Sequence, residues 1–284
     1  MMSILNSIRN QATWSLRRIN LKLPKKALVL EVGSGGNPYP RSNVLLDAYE
    51  ETRERHWDPL VHDRPTVLSL GENLPFKDKA FDYVIAAHVL EHTPYPEQFL
   101  AELQRVAQAG YIETPDAFME RINPYKDHRL EVTVRNDALV IRKKPGWIYD
   151  ADLVELYEQR AKAIITHETI PNNAAAFHIR YCWRDTINYR IVNPEVNASW
   201  EPPVSCPALP PSGSRSQLNA GLLKIIRQVF SQHGRNARLD ILPLLRCPQC
   251  HGESVSRAFS TALVCTGCGA NYSVNGNLYQ FRQS

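Results

Sequence analysis

The chain has 284 residues, of which 43% are hydrophobic and 22% charged, and its formal net charge is +4. These values are typical of a folded soluble protein with one large domain and a small one, and so mild a charge does not by itself indicate nucleic-acid binding. No apolar run reaches about 18 residues and the N-terminus lacks the pattern of a secretory signal, so we expect no transmembrane segment and no leader.

Residues 1–26 mix basic and apolar side chains at helical spacing, which predicts a basic amphipathic helix. The basic residues are Arg9, Arg17, Arg18, Lys22, Lys25 and Lys26, and the apolar residues are Ile4, Leu5, Ile8, Trp14, Leu16 and Ile19. We favour a helix packed on the protein with its charged face in solvent. Contact with RNA or a peripheral contact with a membrane surface is the alternative.

Strand and helix patterns alternate from residue 27 to about residue 115. This alternation predicts an α/β fold with a doubly wound, mostly parallel, Rossmann-like sheet, whose ligands bind at the carboxyl ends of the strands. The predicted strands are 28–32, 44–47, 66–70, 82–87 and 111–113, and the clearest predicted helix is 97–107.

The stretch 116–198 is less regular, and we expect it to complete the sheet and cover the ligand. Its predicted elements are a hairpin of 130–134 with 139–142, a helix at 152–165 and one or two strands within 178–192. Residues 27–198 are therefore expected to form one domain. A linker rich in proline and serine, with a short helix, is expected at 199–236, followed by a small domain at 237–284.

The first predicted strand ends near Glu31 and opens into the run Gly33-Ser34-Gly35-Gly36. Glycines let the backbone approach a nucleotide-like ligand closely. The dinucleotide fingerprint fits only in part, because Pro38 stands at its third glycine. The second strand, which ends at Asp47, follows too soon for a full helix between the two, so NAD and FAD are disfavoured. An ordinary glycine turn is the structural alternative.

Three segments follow the third strand in order: Leu74-Pro75-Phe76, Phe81-Asp82 and Leu90-Glu91-His92. With the glycine loop and Asp47, they resemble the class I S-adenosylmethionine-dependent methyltransferases, especially those that act on small molecules. The resemblance covers about residues 27–115 well and 116–198 poorly. It implies a methyltransferase that uses S-adenosylmethionine as the methyl donor.

The resemblance also implies a set of cofactor contacts. Glu31 would orient the glycine loop or meet the methionine ammonium, Asp47 would bond the ribose hydroxyls, and Leu74 would lie near the adenine ring. The implied cofactor-binding residues are Glu31, Gly33, Ser34, Gly35, Asp47, Gly71, Glu72, Leu74, Ala87 and His88. Family members often carry an aspartate where this chain has Leu70, and Glu72 is the candidate replacement.

Methyl transfer is an in-line displacement that depends on positioning, and an oxygen or nitrogen acceptor can also need a base. The candidate catalytic residues are His88, Glu113 and His128, with histidine suited to proton transfer near neutral pH. Glu91 and His92 are expected to cap and support the following helix. A metal ion bound by His88, His92 and His128 is a less favoured alternative, because the sequence does not fix their mutual spacing.

Four of the six cysteines form two C-x-x-C pairs, Cys247 with Cys250 and Cys265 with Cys268, separated by fourteen residues. This spacing predicts a structural zinc site with four thiolate ligands; two pairs of reduced thiols are the alternative. Metal binding in place of disulfides favours a cytoplasmic location.

The stretch 239–281 resembles the small zinc-ribbon family that activates tRNA, rRNA and release-factor methyltransferases. Such a ribbon covers an apolar methyltransferase edge by strand pairing. The resemblance therefore implies that enzyme and activator form one polypeptide here.

We therefore expect methyl transfer from S-adenosylmethionine to a small-molecule acceptor or a glycan- or lipid-linked one. The first alternative is an RNA- or protein-modifying methyltransferase with a built-in activator ribbon. Ala86-Ala87-His88-Val89 stands where enzymes that methylate amino groups carry N-P-P-Y, which disfavours that reading. The second alternative is a non-catalytic S-adenosylmethionine-binding module, which the intact glycine loop and Asp47 disfavour.

Overall fold

Parallel strands form the centre of the main sheet in this computed structural model, which describes residues 10, 13, 16–19, 21–52, 59–202 and 229–282. The five strands run in the order β3-β2-β1-β4-β5, and all their neighbouring pairs are parallel. Their bounds are β1 Val29–Val32, β2 Val44–Asp47, β3 Thr66–Leu68, β4 Tyr83–Ala87 and β5 Ala109–Pro115. The predicted alternation and the α/β fold are confirmed, and the short apolar runs are strands buried on both faces.

Helix α1, Pro96–Val106, forms the crossover from β4 to β5. Proline at its first position suits a helix start, because the proline nitrogen needs no hydrogen-bond partner there. Phe99, Leu100 and Leu103 are fully or almost fully buried and pack with β1 and β4 in the main core. The helix predicted at 97–107 is therefore confirmed within one residue.

The described residues 33–43, between β1 and β2, contain no helix, as the prolines predicted. The sheet face that such a helix would cover is packed instead by Tyr39 and by the partly buried Leu21 and Leu23. Their contacts include Val29 and Ile85, which point to this face. Loop residues, and not a helix, therefore cover this face of the sheet beside the glycine loop.

The second half of the large domain only partly fits the expectation. Strand β8, His178–Arg184, completes the main sheet antiparallel to β5. The predicted hairpin does form, but in a separate three-stranded sheet of β6 Leu130–Arg135, β7 Ala138–Lys143 and β9 Tyr189–Ile191.

Short helices connect these strands. Helix α2 spans Ala117–Ile122 and begins after Asp116, whose side chain accepts a hydrogen bond from the Phe118 amide. A helical run then contains α3 Ala151–Leu156, a π-turn Tyr157–Ala161, α4 Lys162–Ile164, a π-turn Ile165–Thr169, α5 Ile170–Asn172 and α6 Ala174–Phe177.

The C-terminal part extends the same sheet. Strands β10 Val255–Phe259, β11 Ala262–Cys265, β12 Asn271–Asn275 and β13 Leu278–Gln280 are antiparallel to one another. Strand β13 pairs in parallel with β3, with Leu278 opposite Thr66 and Gln280 opposite Leu68. The result is one ten-stranded sheet. A short helix, α7 His233–Asn236, and a 3-10 turn, Leu242–Leu244, precede these strands.

Two predicted segments lie largely outside the described residues. Most of the predicted helix at 1–26 is outside them, as is the linker from residue 203 to residue 228 with most of its short helix. Among the described residues, no helix has both the length and the apolar character needed to cross a membrane.

Candidate active site

A cleft of about 680 Å³ lies at the carboxyl ends of β1, β2 and β4. This is where parallel α/β sheets bind their ligands, and the volume is in the range of small-molecule sites. Nine of the ten predicted cofactor residues line the cleft: Glu31, Gly33, Ser34, Gly35, Asp47, Gly71, Glu72, Ala87 and His88. The catalytic candidate Glu113 lines it as well.

The glycine loop and Asp47 form one wall of the cleft. Gly33 and Gly35 have φ values of 71° and 57°, in the left-handed region that favours glycine. The Gly35 amide donates to Asp47 Oδ2 at 2.9 Å, and the Tyr49 amide donates to Asp47 Oδ1 at 3.2 Å. Asp47 therefore holds the loop against β2 and lines the cleft.

Ser34 adds an unsatisfied polar atom to this wall. Its Oγ is buried and has no hydrogen-bond partner among the residues that the structure describes. A buried hydroxyl usually has a partner, so an orphan at the base of a cleft indicates a missing ligand. The polar lining of the loop therefore fits a nucleoside or amino-acid group.

Glu31 braces the segment that follows the loop. It is 2% exposed, and its Oε2 accepts hydrogen bonds from the Tyr39 amide at 2.8 Å and from Ser42 Oγ at 2.6 Å. Burial raises the pKa of Glu31 to about 7, although Arg18 and these hydrogen bonds oppose the rise. Glu31 therefore fixes residues 39–42, which follow the glycine loop.

One predicted cofactor residue, Leu74, does not lie at the cleft. Leu74 is fully buried in the main core with Phe76. Its amide donates to Glu102 Oε2 at 2.7 Å, which holds the chain inward. Leu70, 43% exposed at the cleft, is the apolar residue there instead. Sequence alone could not tell which leucine a turn leaves outside.

His88 and Glu113, two of the three catalytic candidates, meet in the cleft. His88 Nε2 lies 3.3 Å from Glu113 Oε1, and the His88 amide donates to the Glu113 carbonyl at 2.7 Å. His88 has a φ of 59°, an uncommon value for a residue with a side chain. Such strain is typical of residues whose position matters for a site.

The buried carboxylate of Glu113 is paired with positively charged and hydrogen-bonding groups. Glu113 is fully buried and accepts hydrogen bonds from Arg17 at 3.1–3.3 Å and from the Tyr111 hydroxyl. Burial alone would raise the pKa of Glu113, but the hydrogen bonds from His88 and Arg17 outweigh it and lower the pKa below its usual range.

His88 lies between Glu113 and Glu91, and its Nδ1 is 3.4 Å from Glu91 Oε1. Burial alone would lower the pKa of His88, but the two carboxylates raise it to about 9. A protonated imidazole forms ion pairs with both carboxylates and has no lone pair with which to accept a proton. This charge state does not fit the general-base role expected for His88.

His128, the third catalytic candidate, also does not lie where we expected it. It does not line the cleft, because its Nδ1 is held 2.6 Å from Glu120 Oε2 in a buried pair. His92 lies between it and the cleft, and the two rings meet edge to face. Burial lowers the pKa of His92 to about 4, so this ring is neutral at neutral pH.

Arg17 and Arg18 are cleft residues that the sequence did not predict. Both line the cleft, and Arg18 stacks on the Tyr39 ring, 4.5 Å from its centroid, while it donates to the Asn37 carbonyl. Their amphipathic pattern predicted a polar face but could not reveal that this face meets the protein. These two arginines therefore form part of the site.

The four predicted zinc ligands converge in the C-terminal part. The Sγ atoms of Cys247, Cys250, Cys265 and Cys268 all lie within 4.8 Å of one another. Two of these separations are 3.7 Å (Cys247 to Cys268) and 3.6 Å (Cys250 to Cys265). A tetrahedral ion with zinc–sulfur bonds of about 2.3 Å separates its ligands by about 3.8 Å, so the cluster fits zinc.

The cysteine cluster is linked directly to the cleft. Asn73, which lines the cleft, donates through its side chain to the Pro248 carbonyl at 3.0 Å, inside the first C-x-x-C turn. The Lys77 amide donates to the Leu244 carbonyl at 2.8 Å, and the Arg246 amide donates to the Pro75 carbonyl at 3.0 Å. The segment 73–77 is thus clamped between the cleft and the cysteine turns.

Comparison with solved structures gives loose matches. One is a complex of the Haloferax volcanii Trm112 methyltransferase activator with a candidate methyltransferase, at 16% identity and a TM-score of 0.28, covering 38% of this chain and 56% of that one. A Pyrococcus horikoshii protein matches at 19% identity and a TM-score of 0.31, over 53% of this chain and 80% of that one. At such TM-scores the superpositions say nothing about substrate.

A third match is an S-adenosylmethionine-dependent methyltransferase from Thermotoga maritima, at 19% identity and a TM-score of 0.26, over 41% of this chain and 62% of that one. The chain thus spans less than two thirds of two of these three structures. No curated protein matches the chain in sequence.

One family model matches the part of the chain that forms the parallel strands. Residues 30–112 match the family model described as "Methyltransferase domain". The matched range runs from β1 into β5 and contains the glycine loop, Asp47 and the turn after β4. Residues 30–112 therefore carry a methyltransferase domain.

Proposed function

We propose that this chain is an S-adenosylmethionine-dependent methyltransferase that methylates a small molecule, or a glycan- or lipid-linked one, in a cleft that holds S-adenosylmethionine against the glycine loop and Asp47. The observation that carries the proposal is the small cleft at the carboxyl ends of β1, β2 and β4, where that loop, Asp47 and Glu31 converge. The donor supplies an electrophilic methyl group on a sulfonium when it is bound.

The residues of the cleft divide into a donor end and an acceptor end. At the donor end, Asp47 would accept from the ribose hydroxyls and Leu70 would contact the adenine. Glu31 and Ser34 would face the amino-acid group, because one offers a carboxylate and the other an unsatisfied hydroxyl. Positioning by such fixed groups is the main source of rate in a displacement reaction.

The acceptor end is formed by His88, Glu113 and the N-terminal segment. Arg17 reaches over this end to pair with Glu113, and its side chain is 16% exposed. A cleft narrowed in this way suits a compact acceptor better than folded RNA or a protein surface. Among the described residues, no observation at this end of the cleft favours an RNA- or protein-modifying methyltransferase, and none favours a non-catalytic S-adenosylmethionine-binding module.

The cysteine cluster would act as a built-in structural support for the methyltransferase edge. Strand β13 covers the edge of β3 by parallel pairing, and the Asn73 contact ties the first cysteine turn to the cleft. A zinc ion with four thiolate ligands leaves no open position, so its role would be structural. The chain would then carry within itself the kind of ribbon that supports other methyltransferases from a separate polypeptide.

Calorimetry with S-adenosylmethionine and S-adenosylhomocysteine tests the donor end. Asp47→Ala should weaken binding of both by roughly 10- to 150-fold, the loss of about 1.5–3 kcal/mol expected for hydrogen bonds to a charged group. Asp47→Asn keeps an acceptor for the loop amides and should lose less. Asp152→Ala, at an exposed helix position, is the matched control and should bind like the wild type.

Equal affinity in Asp47→Ala and Asp152→Ala would contradict the ribose assignment. The acceptor class is tested separately, by methyl transfer from labelled donor to a panel of sugar nucleotides, lipid-linked glycans, small phenols and total RNA. Labelling of RNA alone would overturn the proposed acceptor class.

A further inference from the structure

Three buried or half-buried side chains beside the cleft form a group that the methyltransferase reaction has not used. Glu91 and His92 belong to the 3-10 turn Leu90–His92 after β4, and His128 precedes β6. One ligating atom of each lies within 4.8 Å of those of the other two. Bonds of about 2.0–2.2 Å to a shared zinc ion would draw them slightly closer.

The carboxylate of Glu91 is the member of this group that a bound cation would stabilise most. It is 2% exposed, yet neither carboxylate oxygen accepts a hydrogen bond from the residues that the structure describes. Its ion-pair contact is His88 Nδ1, at 3.4 Å from Oε1. A carboxylate buried without hydrogen bonds is costly, and a directly bound metal ion would offset that cost.

The two histidines are oriented as metal ligands usually are. His128 Nδ1 lies 2.6 Å from Glu120 Oε2, and His92 Nδ1 lies 3.2 Å from the Asp127 carbonyl oxygen. A histidine that ligates a metal through Nε2 typically donates its Nδ1 proton to a carboxylate or a backbone carbonyl, which fixes the ring. Glu120 is itself fixed, because Lys144 Nζ donates to its other oxygen at 2.6 Å.

We propose that Glu91, His92 and His128 bind a divalent transition-metal ion at the wall of the cleft, separate from the four cysteines. Two imidazoles, one carboxylate and an open position are a donor set typical of zinc in enzymes. His92 lines the cleft, so the ion would border the acceptor end, where it would bind an acceptor oxygen. That last link rests on the proposed function; the metal site itself does not.

Metal analysis of the full chain tests the site. After saturation with zinc and removal of unbound ion, the wild type should retain two zinc ions per chain, one of them in the cysteine cluster. Glu91→Gln and His128→Ala should each retain one zinc fewer. Glu120→Gln, which removes only the support of His128, should weaken the second site by about 10- to 100-fold in competition with a chromophoric chelator.

His62→Ala is the matched control, because His62 is exposed on a loop and should leave both ions in place. Circular dichroism identifies any variant that fails to fold, and His128→Asn, which is close in shape, then replaces it. The proposal is overturned if the wild type holds no more zinc than Glu91→Gln and His128→Ala. Methyl transfer need not be measured, so failure of the metal site and failure of the proposed acceptor are distinguishable.

Discussion

Gly33→Ala probes the packing of the cofactor loop most directly. A Cβ at Gly33 would lie 1.9 Å from Val89 Cγ2, well inside contact distance, and the residue has a φ of 71°. The left-handed backbone costs a residue with a side chain about 1–2 kcal/mol. Displacing Val89 adds about 1–3 kcal/mol, the usual cost of overpacking. We therefore expect the free energy of unfolding to fall by about 2–5 kcal/mol.

Urea unfolding of four variants separates the two contributions. Gly33→Ala with Val89→Ala removes the overlap but keeps the strained backbone, so the two substitutions should show a favourable coupling of about 1–3 kcal/mol. Gly146→Ala is the control, because a Cβ there meets nothing within 4 Å; it should be neutral or stabilise by up to about 1 kcal/mol. Equal stabilities of Gly33→Ala and Gly146→Ala would refute this account of the loop.

Three further changes test other parts of the molecule. The folded-state pKa of Glu31, about 7, lies above its ordinary value of 4.5, so its burial destabilises the protein increasingly as pH rises from about 4.5 to 7. Urea unfolding of Glu31→Gln should therefore show a gain over the wild type that grows by up to about 3 kcal/mol from pH 5 to pH 8; a constant difference would contradict it. Arg17→Ala leaves the buried Glu113 with fewer donors and should lower stability by about 1–3 kcal/mol in the same assay, while an unchanged value would mean that Arg17 is not bound there in solution. Removal of zinc by a strong chelator should speed amide exchange across β3 and weaken donor binding, whereas Cys182→Ser, at an exposed cysteine outside the cluster, should leave metal content unchanged.

The sequence predicted the central sheet well because its strands are short apolar runs bounded by glycine, proline or acid. β2 was predicted to the residue and α1 to within one residue, since burial on both faces and a clear 3.6-residue period leave few alternatives. The missing helix between β1 and β2 was predicted from the two prolines, whose effect is local. Features set by neighbouring residues are therefore readable from sequence.

Features that depend on tertiary contacts could not be predicted from the sequence. Leu74 was expected at the cofactor, but it is buried in the main core, where its amide donates to Glu102 of α1. His128 was expected in the cleft, but Glu120 and Lys144 hold it behind His92. Arg17 was expected in solvent because periodicity shows which residues share a face and not what that face touches. In each case the deciding partner lies in another element.

The parallel pairing of β13 with β3 sets an order on the formation of the protein. Strand β3 cannot gain its last neighbour until residues near the C-terminal end have been made, because Leu278 pairs with Thr66 across more than two hundred residues. Until then β3 presents an open strand edge, the kind that pairs with other chains and promotes aggregation. The first cysteine turn and the residues before it also hydrogen-bond to residues 73–77. The time for which that edge is exposed would thus depend on how soon residues 278–280 dock, a step that the proposed zinc ion would favour by holding the cysteine turns together.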